Sequence, residues 1–158
     1  MGRGKKDEFG EAEYRHGALE RLREAQTLLR SEQFAGSIYL AGRGVEGMLR
    51  ALIWCSDWGI RERKQSLETG HDLRRLLTLV RNLGLLRAGG RDDEFEAMIE
   101  EVGRLWFNNM RFASSRVVET RWWRLGQVHR KRTFKQAAAD YFEKSSAIIK
   151  RCEALCGR

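Results

Sequence analysis

The chain has 158 residues, 42% of them hydrophobic, and 30 Lys and Arg against 22 Asp and Glu give a formal charge of +8. That length suits one domain with one core, and the hydrophobic share excludes a disordered chain. Proline is absent altogether, which, with long apolar repeats of three and four, argues for an all-α protein.

Residues 1–10 are charged and glycine-containing and read as a frayed tail, leaving residues 11–158 as a single domain. From 11 to 31, Tyr14, Ala18, Leu22, Ala25, Leu28 and Leu29 mark the apolar face of a first helix, and Glu20, Arg21, Arg23 and Glu24 its solvated side. His16 reads as a surface residue. The break at 31–33 is short enough to predict an antiparallel hairpin with the next helix, residues 34–56. In that second helix Phe34, Ile38, Ala41, Val45, Met48, Leu49 and Leu52 form one apolar face. Gly36, Leu40, Gly44, Gly47, Ala51 and Trp54 form a second, mostly small one. Only Tyr39, Arg43, Glu46 and Arg50 make a polar stripe, so this helix is central, with neighbours on several sides. Each glycine costs about 1 kcal/mol of helix propensity relative to alanine, which close packing against a neighbour, within the chain or across a dimer, would offset.

Residues 57–69 read as a polar loop. Gly70-His71-Asp72 then predicts a helix start, with Asp72 or a near neighbour as cap, followed by a stripe of Leu73, Leu76, Leu77, Val80 and Leu83. Ala88-Gly89-Gly90 closes that helix. Asp92 or Asp93 opens a fourth, with Phe95, Met98, Ile99, Val102, Leu105 and Trp106 facing the core and an end near Asn108-Asn109. The stretch 111–132 holds Arg111, Arg116, Arg121, Arg124, Arg130, Lys131 and Arg132 against Glu119 alone. Its periodicity is poor, and it reads as an irregular basic connection carrying Val117-Val118 and Trp122-Trp123. Thr133 is a predicted N-cap for a last helix, residues 133–155, with Phe134, Ala138, Tyr141, Ser145, Ile148, Cys152 and Leu155 facing inward. The expected architecture is an up-and-down bundle of about five helices with a basic irregular insertion before the last.

No stretch reaches the ~18 uncharged apolar residues of a membrane span, and the basic N-terminus is not followed by the apolar run of a secretory signal. With three cysteines, an odd number, these features predict reduced thiols, a cytoplasmic location and no membrane association. Cys152 and Cys156 read as small apolar residues on one face of the last helix, and no metal is expected.

The order of these pieces resembles the HEPN domains (higher eukaryotes and prokaryotes nucleotide-binding domains). The resemblance rests on the small-residue, Glu-containing helix Tyr39-Leu-Ala-Gly-Arg-Gly-Val-Glu-Gly-Met-Leu-Arg-Ala-Leu52, on the His-Asp-Leu helix start at His71-Asp72-Leu73, and on the Arg-aromatic pair Arg111-Phe112. It covers roughly residues 11–112 and the last helix and leaves out 113–132. It implies an all-α up-and-down bundle, usually a homodimer. Many members are metal-independent RNases of toxin–antitoxin and defence systems. Others bind nucleotides, RNA or a protein partner, often a minimal nucleotidyltransferase.

The catalytic members carry an Arg followed four to six residues later by a His. The guanidinium orients the scissile phosphate and the imidazole serves as acid and base for attack by the 2′-hydroxyl. Arg111 is the positional match, but no His follows it within reach, which would leave a histidine to come from across a dimer. Arg124 and His129 have the right gap and are the candidate catalytic pair within the chain. Arg43, Glu46 and Arg50 read either as a buried ion pair, Glu46 with Arg50 or with an Arg at the end of the fourth helix, or as the wall of a site with Arg111 as partner, while His71 reads as a helix-start residue. Arg111, Arg116, Arg121, Trp122, Trp123, Arg130, Lys131 and Arg132 are the candidate nucleic-acid contacts: arginine for phosphates, tryptophan for stacked bases. The same Trp–Arg mixture would anchor a protein interface.

Nothing resembles a P-loop, a dinucleotide-binding glycine turn, a zincin or a nucleophile elbow, and no cofactor is expected. The function expected first is non-catalytic binding of RNA or a nucleotide-bearing partner through the basic segment. Its rivals are a metal-independent endoribonuclease and an interaction subunit paired with a nucleotidyltransferase or antitoxin.

Overall fold

A computed structural model describes residues 10–56, 70–86 and 93–157. These fold as an all-α helical bundle of six helices: α1 (Glu11–Arg30), α2 (Phe34–Ser56), α3 (Leu73–Asn82), α4 (Asp93–Leu105), α5 (Ser115–Arg124) and α6 (Phe134–Cys156). A 3-10 turn, Asn108–Phe112, joins α4 to α5. Residues 1–9 of the expected tail at 1–10, the loop at 57–69 and the break at 88–90 lie outside the described residues. No described helix is long and apolar enough to cross a membrane.

The axis of the bundle is α2, in which fifteen of 23 residues are buried. Its two apolar faces dictate this: α1 and α6 both pack along it. The small face is used within the chain. Gly47 lies against Ala18 and the Tyr14 carbonyl of α1, where an added Cβ would come within 3.2 Å of that oxygen. Gly44 sits between the Ala18 carbonyl and Ile149 of α6. Ile38, Val45, Met48, Leu49 and Ile53 of α2 join Leu76 and Val80, Ile99 and Val102, Val118 and Trp122, and Tyr141 and Ile148 in one hydrophobic cluster. Burial of each such side chain stabilises the fold by about 1.5–3 kcal/mol.

Helix ends follow the expected chemistry. The Asp72 carboxylate accepts from the Arg74 and Arg75 amides at 2.9 and 3.3 Å and caps α3. Thr133 and Gln136 form a reciprocal capping box at the start of α6, each side chain accepting from the other's amide. Between α1 and α2 the Gln33 amide reaches back to the Leu28 carbonyl at 2.8 Å, and Glu32 takes a φ of 60° to make the reversal.

Two expectations fail. The basic connection is not irregular throughout: α5 occupies its middle. Ser114 caps it by accepting from the Val117 amide at 3.3 Å, and Val118 and Trp122, one turn apart, are its buried stripe. The thiols are not all reduced either. Cys55 and Cys156 form a disulfide that ties the last turns of α2 and α6, with Cα atoms 5.7 Å apart. Cys152 alone is free; its thiol is buried in α6, and burial pushes its pKa up to about 12.

Candidate functional site

The polar stripe of α2 forms the floor of a cleft. α1, α2 and the turn before α3 enclose a volume of about 700 Å³, with Tyr14, Gly17 and Ala18 on one side and Tyr39 and Leu40 on the other. Glu46 is the centre of its floor and is only 3% exposed. Its Oε1 accepts from Arg50 Nε at 3.2 Å and Arg50 Nη2 at 3.0 Å, and its Oε2 accepts from Arg43 Nη1 at 2.6 Å. Arg50 also donates to the Gly70 carbonyl at 2.7 Å, which pins the turn before α3 against α2. A buried carboxylate in hydrocarbon surroundings survives as an ion only with such partners.

The third partner of Glu46 is His71, not Arg111. His71 Nδ1 lies 2.9 Å from Glu46 Oε1 and 2.6 Å from Arg43 Nη1. One ring nitrogen cannot donate to a carboxylate and accept from a guanidinium at once. The carboxylate decides the matter: a bare Nδ1 would set two lone pairs against each other at 2.9 Å, whereas Nδ1–H makes a charge-assisted bond. Arg43 is already served by Oε2. We therefore assign the proton to Nδ1, leaving Nε2 without a hydrogen-bond partner among the described residues, on a ring whose side chain is 42% exposed and lines the cleft. Asp72 does the capping that the sequence assigns to this turn, which frees His71 for the cleft.

Arg111 is elsewhere. It sits on the 3-10 turn, exposed, with its guanidinium 4.5 Å from the Phe112 ring centroid. Arg116, Arg121, Arg124, Arg130 and Lys131 are exposed on α5 and the turn that follows it. Arg121 lies over the Phe107 ring at 4.1 Å. The two tryptophans divide. Trp123 is 53% exposed beside these arginines, while Trp122 is fully buried, packed edge-on to Tyr141 and Phe134 of α6 with centroids 5.4 and 6.1 Å apart. Trp122 therefore cannot stack on a base in this fold. Arg132 is also engaged: it donates to Asp140 at 2.9 Å and helps to order the start of α6. Arg124 and His129 are both exposed, and no hydrogen bond between them is present among the described residues. His129 Nδ1 accepts from the Lys131 amide at 3.3 Å, inside a tight turn closed by paired His129 and Arg132 backbone bonds.

Sequence reasoning missed His71 and the α1 wall of the cleft. The signal available was the polar stripe itself, which needed partners, and a His immediately before a capping Asp. Among the described residues no group of three or more His, Cys, Asp and Glu side chains is placed to hold a metal ion. No family model matches the sequence, and neither a curated protein nor a solved structure matches it.

Proposed function

We propose that this chain is a HEPN-like helical domain that binds single-stranded RNA through the outward face of α5 and the turn after it. One observation carries this reading. Arg116, Arg124, Arg130 and Lys131 are exposed, and none forms an ion pair among the described residues. By contrast Arg81, Arg132, Lys135 and Lys144 are each bonded to a carboxylate. Arg116, Trp123 and Arg124 fall within about a third of the helix circumference, opposite the buried Val118 and Trp122. Uncommitted guanidiniums flanking an exposed indole suit a phosphate backbone with a base stacked between contacts. The resemblance to HEPN domains supports RNA as the polyanion and a homodimer as the working unit.

The test is fluorescence anisotropy with a labelled single-stranded RNA across a salt series. Binding should weaken steeply with salt, at a slope of about −0.7 per phosphate contact. Replacing Arg116, Arg124 and Arg130 together with Gln should reduce affinity at least about tenfold and flatten that slope. Salt-insensitive binding, or an unchanged triple variant, would sink the reading. A second reading rests on Phe112, Val117 and Trp123, large apolar side chains left exposed at 76%, 55% and 53%. They favour a protein partner, for which the resemblance suggests a nucleotidyltransferase. Co-purification with such a partner that Trp123→Ala abolishes, at any salt, would support it.

A further inference from the structure

We propose that the cleft between α1 and α2 is a second binding site, for a small molecule that joins an oxyanion to an apolar or aromatic body. Its head would meet Arg43 and His71, and its body would lie along Tyr14, Gly17 and Leu40. This goes beyond the RNA-binding reading and does not depend on it.

Two independent observations converge. The first is hydrogen-bond accounting on the floor. Both oxygens of Glu46 are occupied, Oε1 by Arg50 and His71 and Oε2 by Arg43. Glu13, at the rim, turns one oxygen to the Gly10 amide at 2.9 Å, and that bond holds its carboxyl below the usual range. Glu20 is exposed on α1 and lies 3.6 Å from Arg21. The buried floor thus has no carboxylate oxygen left to offer. It has donors to spare: Arg43 uses only Nη1, so its Nε and Nη2 have no hydrogen-bond partner among the described residues. A guanidinium edge of that kind matches a carboxylate or phosphate. His71 Nε2 likewise has no hydrogen-bond partner among the described residues, while Glu46 holds the other ring nitrogen, Nδ1. A cationic ligand would find no free carboxylate oxygen on the floor and would face the Arg43 guanidinium.

The second observation is Gly17. It lies inside α1, where glycine costs about 1 kcal/mol relative to alanine. Gly44 and Gly47 return that cost through close packing. Gly17 does not: a Cβ built there meets nothing within 4 Å. It lines the cleft. Its missing side chain leaves room in a cleft of about 700 Å³, within the range of small-molecule pockets. Tyr39, stacked on Trp106 at 5.9 Å, gives the opposite wall a braced aromatic surface.

The experiment titrates the full chain with phenyl phosphate, benzoate and benzyl alcohol, following backbone amide and His71 ring resonances by NMR. An oxyanion probe should shift His71 and the α1–α2 amides saturably, and benzyl alcohol should bind at least about tenfold more weakly. Phenyl phosphate against benzoate identifies which oxyanion the site prefers. Arg43→Gln should weaken the better probe at least about tenfold. Gly17→Leu fills the cleft without touching the floor; it should melt no lower than the parent and fail to bind. Equal binding of benzyl alcohol, full binding by Gly17→Leu, or no saturable shift with either oxyanion would each overturn the proposal. Loss of RNA binding in the α5 triple variant with probe binding intact would show that the two sites stand or fall separately.

Discussion

Gly42 on α2 faces the edge of Trp106, and replacing it with alanine is a sharp test of the packing. A Cβ at that position would fall among the indole atoms, 2.6 Å from Cγ. The ring cannot simply swing away. Trp106 is 5% exposed, its indole N–H donates to the Tyr39 carbonyl at 3.1 Å, and its face stacks on Tyr39 with planes 16° apart. The substitution gains about 1 kcal/mol of helix propensity. Against that stand an overpacking cost of about 1–3 kcal/mol and a lost hydrogen bond of about 1 kcal/mol. The net expectation is a loss of about 1–3 kcal/mol. Gly17→Ala is the internal control, because its Cβ enters open space. It should stabilise by about 0.5–1 kcal/mol. Urea unfolding followed by far-UV circular dichroism measures both, with the m-value required to stay constant. Combining Gly42→Ala with Trp106→Leu should cost clearly less than the two single losses added. A Gly42→Ala protein as stable as the parent, beside a Gly17→Ala protein that behaves as expected, would refute the packing argument.

The two adjacent tryptophans should respond oppositely. Trp122→Ala should cost about 3–5 kcal/mol, because it empties the space against Tyr141 and Phe134. Trp123→Ala should stay within about 0.5 kcal/mol of the parent in urea while weakening RNA binding. Cys55→Ser should lower stability by about 2–4 kcal/mol without reductant and by nothing when both proteins are reduced, since the lost bond closes a span of 101 residues. Asp140 supplies a pH signature. Burial raises its pKa, but bonds from Lys144 and Arg132 outweigh it and hold the carboxyl below its ordinary range. A depressed folded value means stability that is present above the unfolded pKa of about 3.9 and is lost as pH falls through the folded one. The stability gap between the parent and Asp140→Asn should therefore be constant near neutrality and close as acid is added; a gap that widens in acid would contradict it.

Elements with long apolar stripes and polar caps were legible in the sequence. Asp72 and Thr133 mark the starts of α3 and α6, and the two apolar faces of α2 identify it as the axis. The α5 helix was not legible, because a ten-residue helix that buries only Val118 and Trp122 has almost no period to read. Its paired tryptophans look equivalent in the sequence, yet neighbours on a helix point about 100° apart, and one turns inward while the other turns outward. The polar stripe of α2 announced that it needed partners without saying which. His71 lies 25 residues from Glu46, and only the turn held by Arg50 on the Gly70 carbonyl brings it there. The disulfide escaped for the same reason: its cysteines meet only because two long helices end side by side.

Trp122 also determines what kind of cation surface this is. A basic tail must be ordered at the moment it meets its ligand, at about 1–2 kcal/mol of backbone entropy for each residue fixed. Here the ordering has already happened during folding: one indole wedged against α6 holds Arg116, Trp123 and Arg124 at fixed spacing before any ligand arrives. A free peptide spanning residues 111–132 would carry the same charge without that spacing. It should attract RNA by charge alone, bind more weakly than the intact chain, and gain affinity if its helix is stapled.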